Sequence, residues 1–151
     1  MTDIRFYHLT RWPLEVALPK LLERAMQADM RAVVRLGTEE RVKFLNGVLW
    51  TYNPASFLAH GTAAEGGAAS QPIWLTTEDE NPNGASFLVL ADGAEAGAFE
   101  GYERCAEMFD GRDPATVAAA RARWKAYREA DHDLTYWQQT EQGGWEQGGG
   151  G

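Results

Sequence analysis

Short apolar runs alternate with segments of helical spacing in the first third of the chain, and this order constrains the fold more than any other feature. Residues 4–9 and 31–36 are rich in apolar side chains and predict strands. Apolar residues recur at helical spacing across 14–26, where Pro19 must either kink the helix or lie in the first turn of a shorter one. A second helix is predicted to end at Trp50. The β-α-β-α order predicts an α/β fold with a mainly parallel sheet.

The rest of the chain continues the alternation. We predict strands at 72–77 and 86–90, a long loop at 56–71, and helices at 99–109 and from Pro114 to about residue 130. Asp113 and Pro114 are a matched N-cap and first helical residue. The turn between the two strands is too short for a helical crossover, which leaves open whether those strands are neighbours.

These elements predict one domain and a tail. Residues 1–140 are expected to form a single-domain, Rossmann-like three-layer α/β/α sandwich with a mainly parallel sheet. Residues 141–151 are rich in glycine and cannot build a core, so we expect this tail to be disordered.

Charge is distributed unevenly along a chain whose formal net charge is −8. Residues 61–110 contain ten acidic side chains and one basic one, whereas Arg121, Arg123, Lys125 and Arg128 cluster near the C-terminus. A local cationic patch on an anionic protein predicts a compact acidic partner, with direct nucleic-acid binding weak or absent. The N-terminus lacks a signal-peptide layout and no apolar run could span a bilayer, so we expect a cytoplasmic protein with no membrane partner.

The chain carries no recognisable catalytic pattern. Neither a glycine-rich phosphate loop nor a G-x-S-x-G sequence is present, and Cys105 is expected to be an idle thiol. His8, His60 and His132 are isolated, and the acidic triplet at 78–80 is typical of a solvated loop. We therefore predict a binding module with no catalytic residue, cofactor or metal. The alternative is a small nucleotide- or cofactor-binding α/β enzyme.

The last predicted helix has two distinct arcs on a helical wheel. Five residues share about 100° of its surface and are expected to face outward: Val117, Arg121, Trp124, Lys125 and Arg128. Four alanines form the other arc, expected to lie on the sheet: Ala119, Ala122, Ala126 and Ala130. The outward face suits a ligand with a carboxylate and an apolar side chain. Two alternatives remain: Trp124 packs under a loop beside solvated cations, or Trp124 and Tyr127 stack on single-stranded DNA.

Four segments, in order and in register, carry a family resemblance. Residues 123–128 read Arg-Trp-Lys-Ala-Tyr-Arg and are followed by Leu134, Tyr136 and Trp137; the others are Phe6-Tyr7-His8-Leu9, Leu49-Trp50 and residues 54–60. Together they resemble the chi subunit family of bacterial DNA polymerase III holoenzyme over about residues 4–137. The chain departs from the family pattern at Ala59, where a proline is usual, at Trp124, often a tyrosine, and in its Gly-rich tail.

The resemblance implies a non-enzymatic adaptor with a Rossmann-like fold. Chi subunits bind the acidic, Phe-terminated C-terminal tail of single-strand DNA-binding protein and, on another surface, the clamp-loader subunit psi. Carried over to this chain, the tail-binding role falls on Arg121, Trp124 and Lys125, with Val117 and Arg128 beside them. The psi interface falls on Trp50 and Phe57, which as aromatic residues are equally compatible with a place in the core.

Overall fold

Eight strands form one sheet in the computed structural model, which describes residues 2–10, 13–51, 60–62, 66–91, 94, 101–140 and 145–147. In chain order the elements are β1 (Asp3–Leu9), α1 (Leu14–Gln27), β2 (Ala32–Arg35), α2 (Glu39–Thr51), β3 (His60–Thr62), β4 (Ile73–Thr76), β5 (Phe87–Leu90), β6 (Arg104–Asp110), α3 (Pro114–Glu129), β7 (Asp133–Gln139) and β8 (Trp145–Gln147). A short 3-10 helix, Ala68–Ser70, precedes β4.

The strands lie in the order β3-β4-β2-β5-β6-β1-β7-β8. Every pairing in the described chain is parallel except that between β7 and β8. β2 lies between β4 and β5, which answers the question that the short turn between those two strands left open. β1 lies between β6 and β7, so Phe6 has Glu107 on one side and Tyr136 on the other.

The helices divide between the two faces of the sheet. α1 and α2 contribute Leu18, Leu22, Leu45 and Leu49 to one buried cluster, whereas α3 contributes Ala120 to a second cluster. Alternate residues of the central strands point to opposite faces, so that Val33 belongs to one cluster and its neighbours in β2 to the other. α2 and α3 therefore lie on opposite sides of the sheet.

The predicted α/β class, with a mostly parallel sheet, is confirmed. The strands predicted at 4–9, 31–36, 72–77 and 86–90 are present, with small shifts in their ends. Pro19 lies buried inside α1, which begins at Leu14. The Rossmann-like three-layer sandwich stays a prediction.

The helix predicted at 99–109 is wrong, because β6 occupies residues 104–110. Its residues include Ala106, Glu107 and Met108, which favour helices in isolation. The segment nevertheless pairs with β5 on one side and with β1 on the other, and five of its seven residues are buried. Hydrogen bonding to two neighbouring strands and burial on both faces override that local preference.

Two further segments contain structure where none was predicted. The predicted loop at 56–71 holds β3, which pairs with β4, and the 3-10 helix. In the Gly-rich tail, β8 pairs with β7, and the Trp145 ring packs at 5.0 Å from the Tyr7 ring. A tryptophan thus anchors three tail residues to the sheet. The boundary at residue 140 stays a prediction. Among the described residues, no helix is both long and apolar enough to cross a membrane.

Candidate functional site

Local chemistry sets the start of α3, the helix that carries the predicted binding residues. The Asp113 carboxylate accepts hydrogen bonds from the Ala115 backbone N–H at 3.1 Å and from the Thr116 hydroxyl at 2.9 Å. Pro114 follows as the first helical residue, where its missing N–H costs nothing. The predicted cap is therefore confirmed, and it sets the residue at which α3 begins.

The predicted buried arc of α3 is wrong. Ala120 is the fully buried residue of this helix, and Val117, Trp124 and Tyr127 are half-buried against the same cluster. The four alanines that were expected to be buried are exposed: Ala119, Ala122, Ala126 and Ala130. An aromatic side chain removes roughly 150–250 Å² from water when buried, far more than an alanine methyl, so the aromatic side of the helix packs on the sheet.

Trp124 consequently lies at the edge of the predicted face, with its ring turned into the domain. Its ring centroid is 5.1 Å from that of Phe6 in an edge-to-face arrangement and 6.4 Å from that of Tyr136. The Trp124 Nε1–H is buried and has no acceptor within the described residues. Trp124 is thus chiefly a packing residue, with only its margin exposed beside the cations.

Three cations form an exposed strip along α3, which we call the cationic strip: Arg121, Lys125 and Arg128. None of them forms an ion pair with any residue that the structure describes. Five charged pairs occur elsewhere in that part of the chain, so these cations remain available to an acidic partner. Val117 borders the strip on its buried side.

The Arg121 end of the strip lies near two titratable residues of β1 and β7. Burial lowers the pKa of His8, and the positive charge of Arg121 contributes to that shift, against an opposing backbone hydrogen bond at Gly111. Burial raises the pKa of Tyr136, whose hydroxyl is hydrogen-bonded to the His8 ring. Both residues therefore favour their neutral forms, and the charges that act on His8 at this end are those of Arg121 and Asp110.

Arg123 does not belong to the exposed cations of α3, because its side chain turns toward the sheet. Its Nε donates a hydrogen bond of 2.8 Å to the Glu107 carboxylate, and the Tyr127 hydroxyl donates another of 2.8 Å to the same oxygen. Glu107 is 1% exposed and Arg123 14%. This contact was not predicted, because residues 99–109 were expected to form a helix. Glu107 lies beneath α3 only because its segment is a strand.

A polar residue in an otherwise apolar run is the sequence signal that would have identified this contact. Glu107 follows Cys105-Ala106 and precedes Met108-Phe109 in the sequence. Because a buried carboxylate needs donors, such a position predicts partners on the element that covers the strand.

Comparison with known proteins identifies the family. A family model described as "DNA polymerase III chi subunit, HolC" matches residues 1–135. This chain belongs to the DNA polymerase III chi subunit family. It is 28% identical over 138 residues to the DNA polymerase III subunit chi of Pseudomonas aeruginosa, covering 89% of this chain and 94% of that protein. It is 32% identical over 90 residues to a Rickettsia prowazekii protein named "Probable DNA polymerase III subunit chi". That alignment covers 60% of this chain and only 54%, about half, of the Rickettsia protein.

The family is an accessory subunit of the replicative polymerase, and the resemblance stated from the sequence is confirmed. Its four segments fall on distinct elements of this chi-family chain. Phe6–Leu9 belongs to β1, Leu49-Trp50 lies at the end of α2, and residues 123–128 lie in the C-terminal half of α3. Of residues 54–60, only His60 is described, as the buried first residue of β3.

The other predicted interface of the chi-family chain lies at the end of α2. Trp50 is 52% exposed, and its ring centroid is 4.7 Å from that of His60. The His60 Nε2 is hydrogen-bonded to the backbone carbonyl of Asn46, which holds the imidazole beneath the indole. Trp50 therefore does not belong to the buried core. Phe57 lies outside the described residues.

Cys105 and the acidic and histidine side chains are the remaining candidates for chemistry. Cys105 is buried in β6, and burial raises the pKa of its thiol well above the usual value, so the reactive thiolate is disfavoured. No three acidic, histidine or cysteine side chains converge to hold a metal within the described residues.

Proposed function

We propose that this chi-family chain is a non-catalytic adaptor of the DNA polymerase III holoenzyme. On this proposal it has a Rossmann-like three-layer fold and links the clamp loader to single-strand DNA-binding protein by binding the acidic C-terminal tail of that protein. The observation that supports the tail-binding role is the cationic strip, three exposed charges without ion pairs in the described chain on a protein of net charge −8.

The chemistry of the tail matches the strip and its border. Aspartate side chains and a terminal carboxylate would accept charge-assisted hydrogen bonds from Arg121, Lys125 and Arg128. The terminal Phe would lie against Val117 and the exposed margin of Trp124. Trp124 would contribute only this margin to the contact, because its ring packs on Phe6.

A second surface is proposed for psi or an equivalent clamp-loader component. Trp50 provides exposed apolar area at the end of α2, and Phe57 stays part of this proposal. α2 and α3 pack on opposite faces of the sheet, and β3 lies at the sheet edge far from β1 and β7. Two partners could therefore bind at once without competing for the same surface.

Direct binding of single-stranded DNA is less favoured than peptide binding. Base stacking needs an exposed aromatic face. Trp124 and Tyr127 are half-buried, and the Tyr127 hydroxyl is held by Glu107. We therefore keep weak or absent nucleic-acid binding as a prediction.

Titration with a nonapeptide ending in Asp-Asp-Ile-Pro-Phe tests the proposed ligand directly. We expect saturable binding to the intact peptide and much weaker binding to a scrambled peptide of the same composition. Truncation of the terminal Phe and Trp124→Phe, which keeps an aromatic ring against Phe6, form a double-mutant cycle for the apolar contact. Equal affinity for the intact and scrambled peptides would refute the tail-binding role.

A parallel binding assay with oligo-dT distinguishes the alternative. Tight, salt-sensitive binding to oligo-dT that competes with the peptide would favour the DNA-binding function instead.

A further inference from the structure

A crevice opens at the carboxyl ends of β1 and β6, at a site separate from the cationic strip. These parallel strands are neighbours, yet the chain leaves β1 through α1 on one face of the sheet and leaves β6 through α3 on the other. Strands whose connections depart in opposite directions leave a gap between them, and this is where open α/β sheets bind small molecules.

The crevice is large enough for a small organic molecule. Its volume is about 530 Å³, within the roughly 300–1,000 Å³ typical of ligand sites. Apolar side chains from both strands and from α1 line its floor, including Leu9, Met108 and Leu14. The α3 side is formed by Ala115, Thr116, Ala119 and Arg123, the flank of the helix opposite to the cationic strip.

Arg123 is the lining residue on which the proposed ligand contact depends. One of the five N–H groups of its guanidinium, on Nε, is used by Glu107, and the described residues provide no acceptor for the others. The hydrogen bond from Nε to Glu107 holds one edge of the guanidinium. A fixed guanidinium with free donors on its outer edge is suited to a carboxylate or phosphate group.

The three carboxylates that line the crevice form no ion pair with Arg123 within the described residues. Asp110 accepts from the backbone N–H and the Nε of Arg112, and Asp113 caps α3. Glu15 also lines the crevice, at the first turn of α1. The sequence after β1 lacks the glycines that admit a pyrophosphate, which favours a smaller ligand over a dinucleotide.

We propose that this crevice binds a small organic anion, whose apolar body lies on Leu9 and Met108 and whose carboxylate or phosphate accepts hydrogen bonds from Arg123. Such a site would give a chi-family adaptor a small-molecule ligand in addition to its protein partners. Peptide binding at the cationic strip does not depend on it, because the two sites lie on opposite flanks of α3.

Two-dimensional ¹H–¹⁵N NMR titration of the full chain tests the proposal with benzoate, phenyl phosphate and the neutral analogue benzamide. We expect saturable millimolar binding by benzoate, phenyl phosphate or both, with shifts at the amides of Leu9, Met108 and Ala115. The two anions reveal which head group is preferred. Benzamide is expected to bind at least tenfold more weakly.

Variants with a matched control locate the site. Ala119→Leu fills the crevice from the exposed side of α3 and should weaken binding at least tenfold, whereas Ala122→Leu, on the same helix outside the crevice, should change it less than twofold. Arg123→Lys keeps a cation beside Glu107 but removes the planar fork, and should weaken binding severalfold in a folded protein. The proposal is overturned if no probe saturates, if benzamide binds as tightly as the anions, or if Ala119→Leu leaves affinity unchanged.

Discussion

Two helices of similar length are attached to this sheet in different ways. α1 has 14 residues and buries six of them, whereas α3 has 16 residues and buries only Ala120. Leu18 and Leu22 of α1 are completely buried in the larger apolar cluster. α3 is held instead by half-buried aromatic rings and by the contact between Arg123 and Glu107.

The contrast between α1 and α3 shows which helix surface is available for binding. Apolar burial along α1 is non-directional and uses most of the helix surface. α3 is positioned by a few directional contacts, so most of its surface stays exposed and can serve partners on one flank and a ligand on the other. We expect substitutions in α1 to act mainly on stability. Substitutions in α3 should act on stability at the anchoring contacts and on binding elsewhere.

The largest effect is expected from Arg123→Ala. The change removes the charged partner of a carboxylate that is 1% exposed, and such losses destabilise by about 3–5 kcal/mol. Urea unfolding followed by circular dichroism measures it. As a control, the double variant Glu107→Leu with Arg123→Leu should be much less destabilised, because neither charge is then left buried alone. A loss below about 1 kcal/mol for Arg123→Ala would show that the ion pair does not anchor α3.

Leu22→Ala in α1 is expected to lower the free energy of unfolding by an equal or slightly smaller amount. This side chain is 0% exposed, and leucine-to-alanine changes in cores cost about 2–5 kcal/mol. Ala122→Gly on the exposed surface of α3 is the matched helical comparison and should cost about 1 kcal/mol, the helix-propensity difference alone. Equal losses for the two variants in urea unfolding would contradict the contrast between the helices.

Lys125→Glu should affect binding and leave stability nearly unchanged. Charge-assisted hydrogen bonds contribute about 1.5–3 kcal/mol, so reversing this exposed charge should weaken peptide affinity at least tenfold. Lys43→Glu makes the same change at an exposed position of α2. It controls for net charge and should have little effect on peptide affinity. Isothermal titration at low and high salt measures both variants.

Salt dependence separates the strip from its apolar border. The contribution of Lys125 should shrink as the Debye length falls from about 10 Å at 0.1 M to about 3 Å at 1 M. An unchanged peptide affinity of Lys125→Glu at low salt would show that the cationic strip is not part of the peptide site.

The smallest effect concerns the pH dependence of stability on the α3 side of the sheet. Burial places the pKa of folded His8 below its usual value of 6.5, so the unfolded chain binds more protons near that pH. The stability of the wild type should therefore fall, relative to His8→Gln, as the pH drops below 6.5 toward the folded pKa. Thermal unfolding of both proteins across this range measures the difference. Parallel pH profiles for the wild type and His8→Gln would contradict the lowered pKa of His8.

Local signals were enough to predict part of the fold and part of the site. The N-cap at Asp113 is one such signal, because its acceptor and the donors it satisfies lie within three residues. The exposure of Arg121, Lys125 and Arg128 was also predicted, although the burial of the alanine arc from which it was inferred is wrong. The buried side of α3 was not, because residue spacing showed two candidate arcs and only the aromatic rings of β1 and β7 decide between them.

Sequence patterns predict the alternation of strands and helices in the first third of the chain, the start of α3 and membership of the chi family. These depend on neighbours in the chain or on motifs in register. Three features appear only in the folded domain: the strand at residues 104–110, the position of β2 between β4 and β5, and the contact of Glu107 with Arg123. The physical reason is that strand pairing and buried charge compensation join residues far apart in sequence, and their free energies exceed the local preferences that a sequence displays.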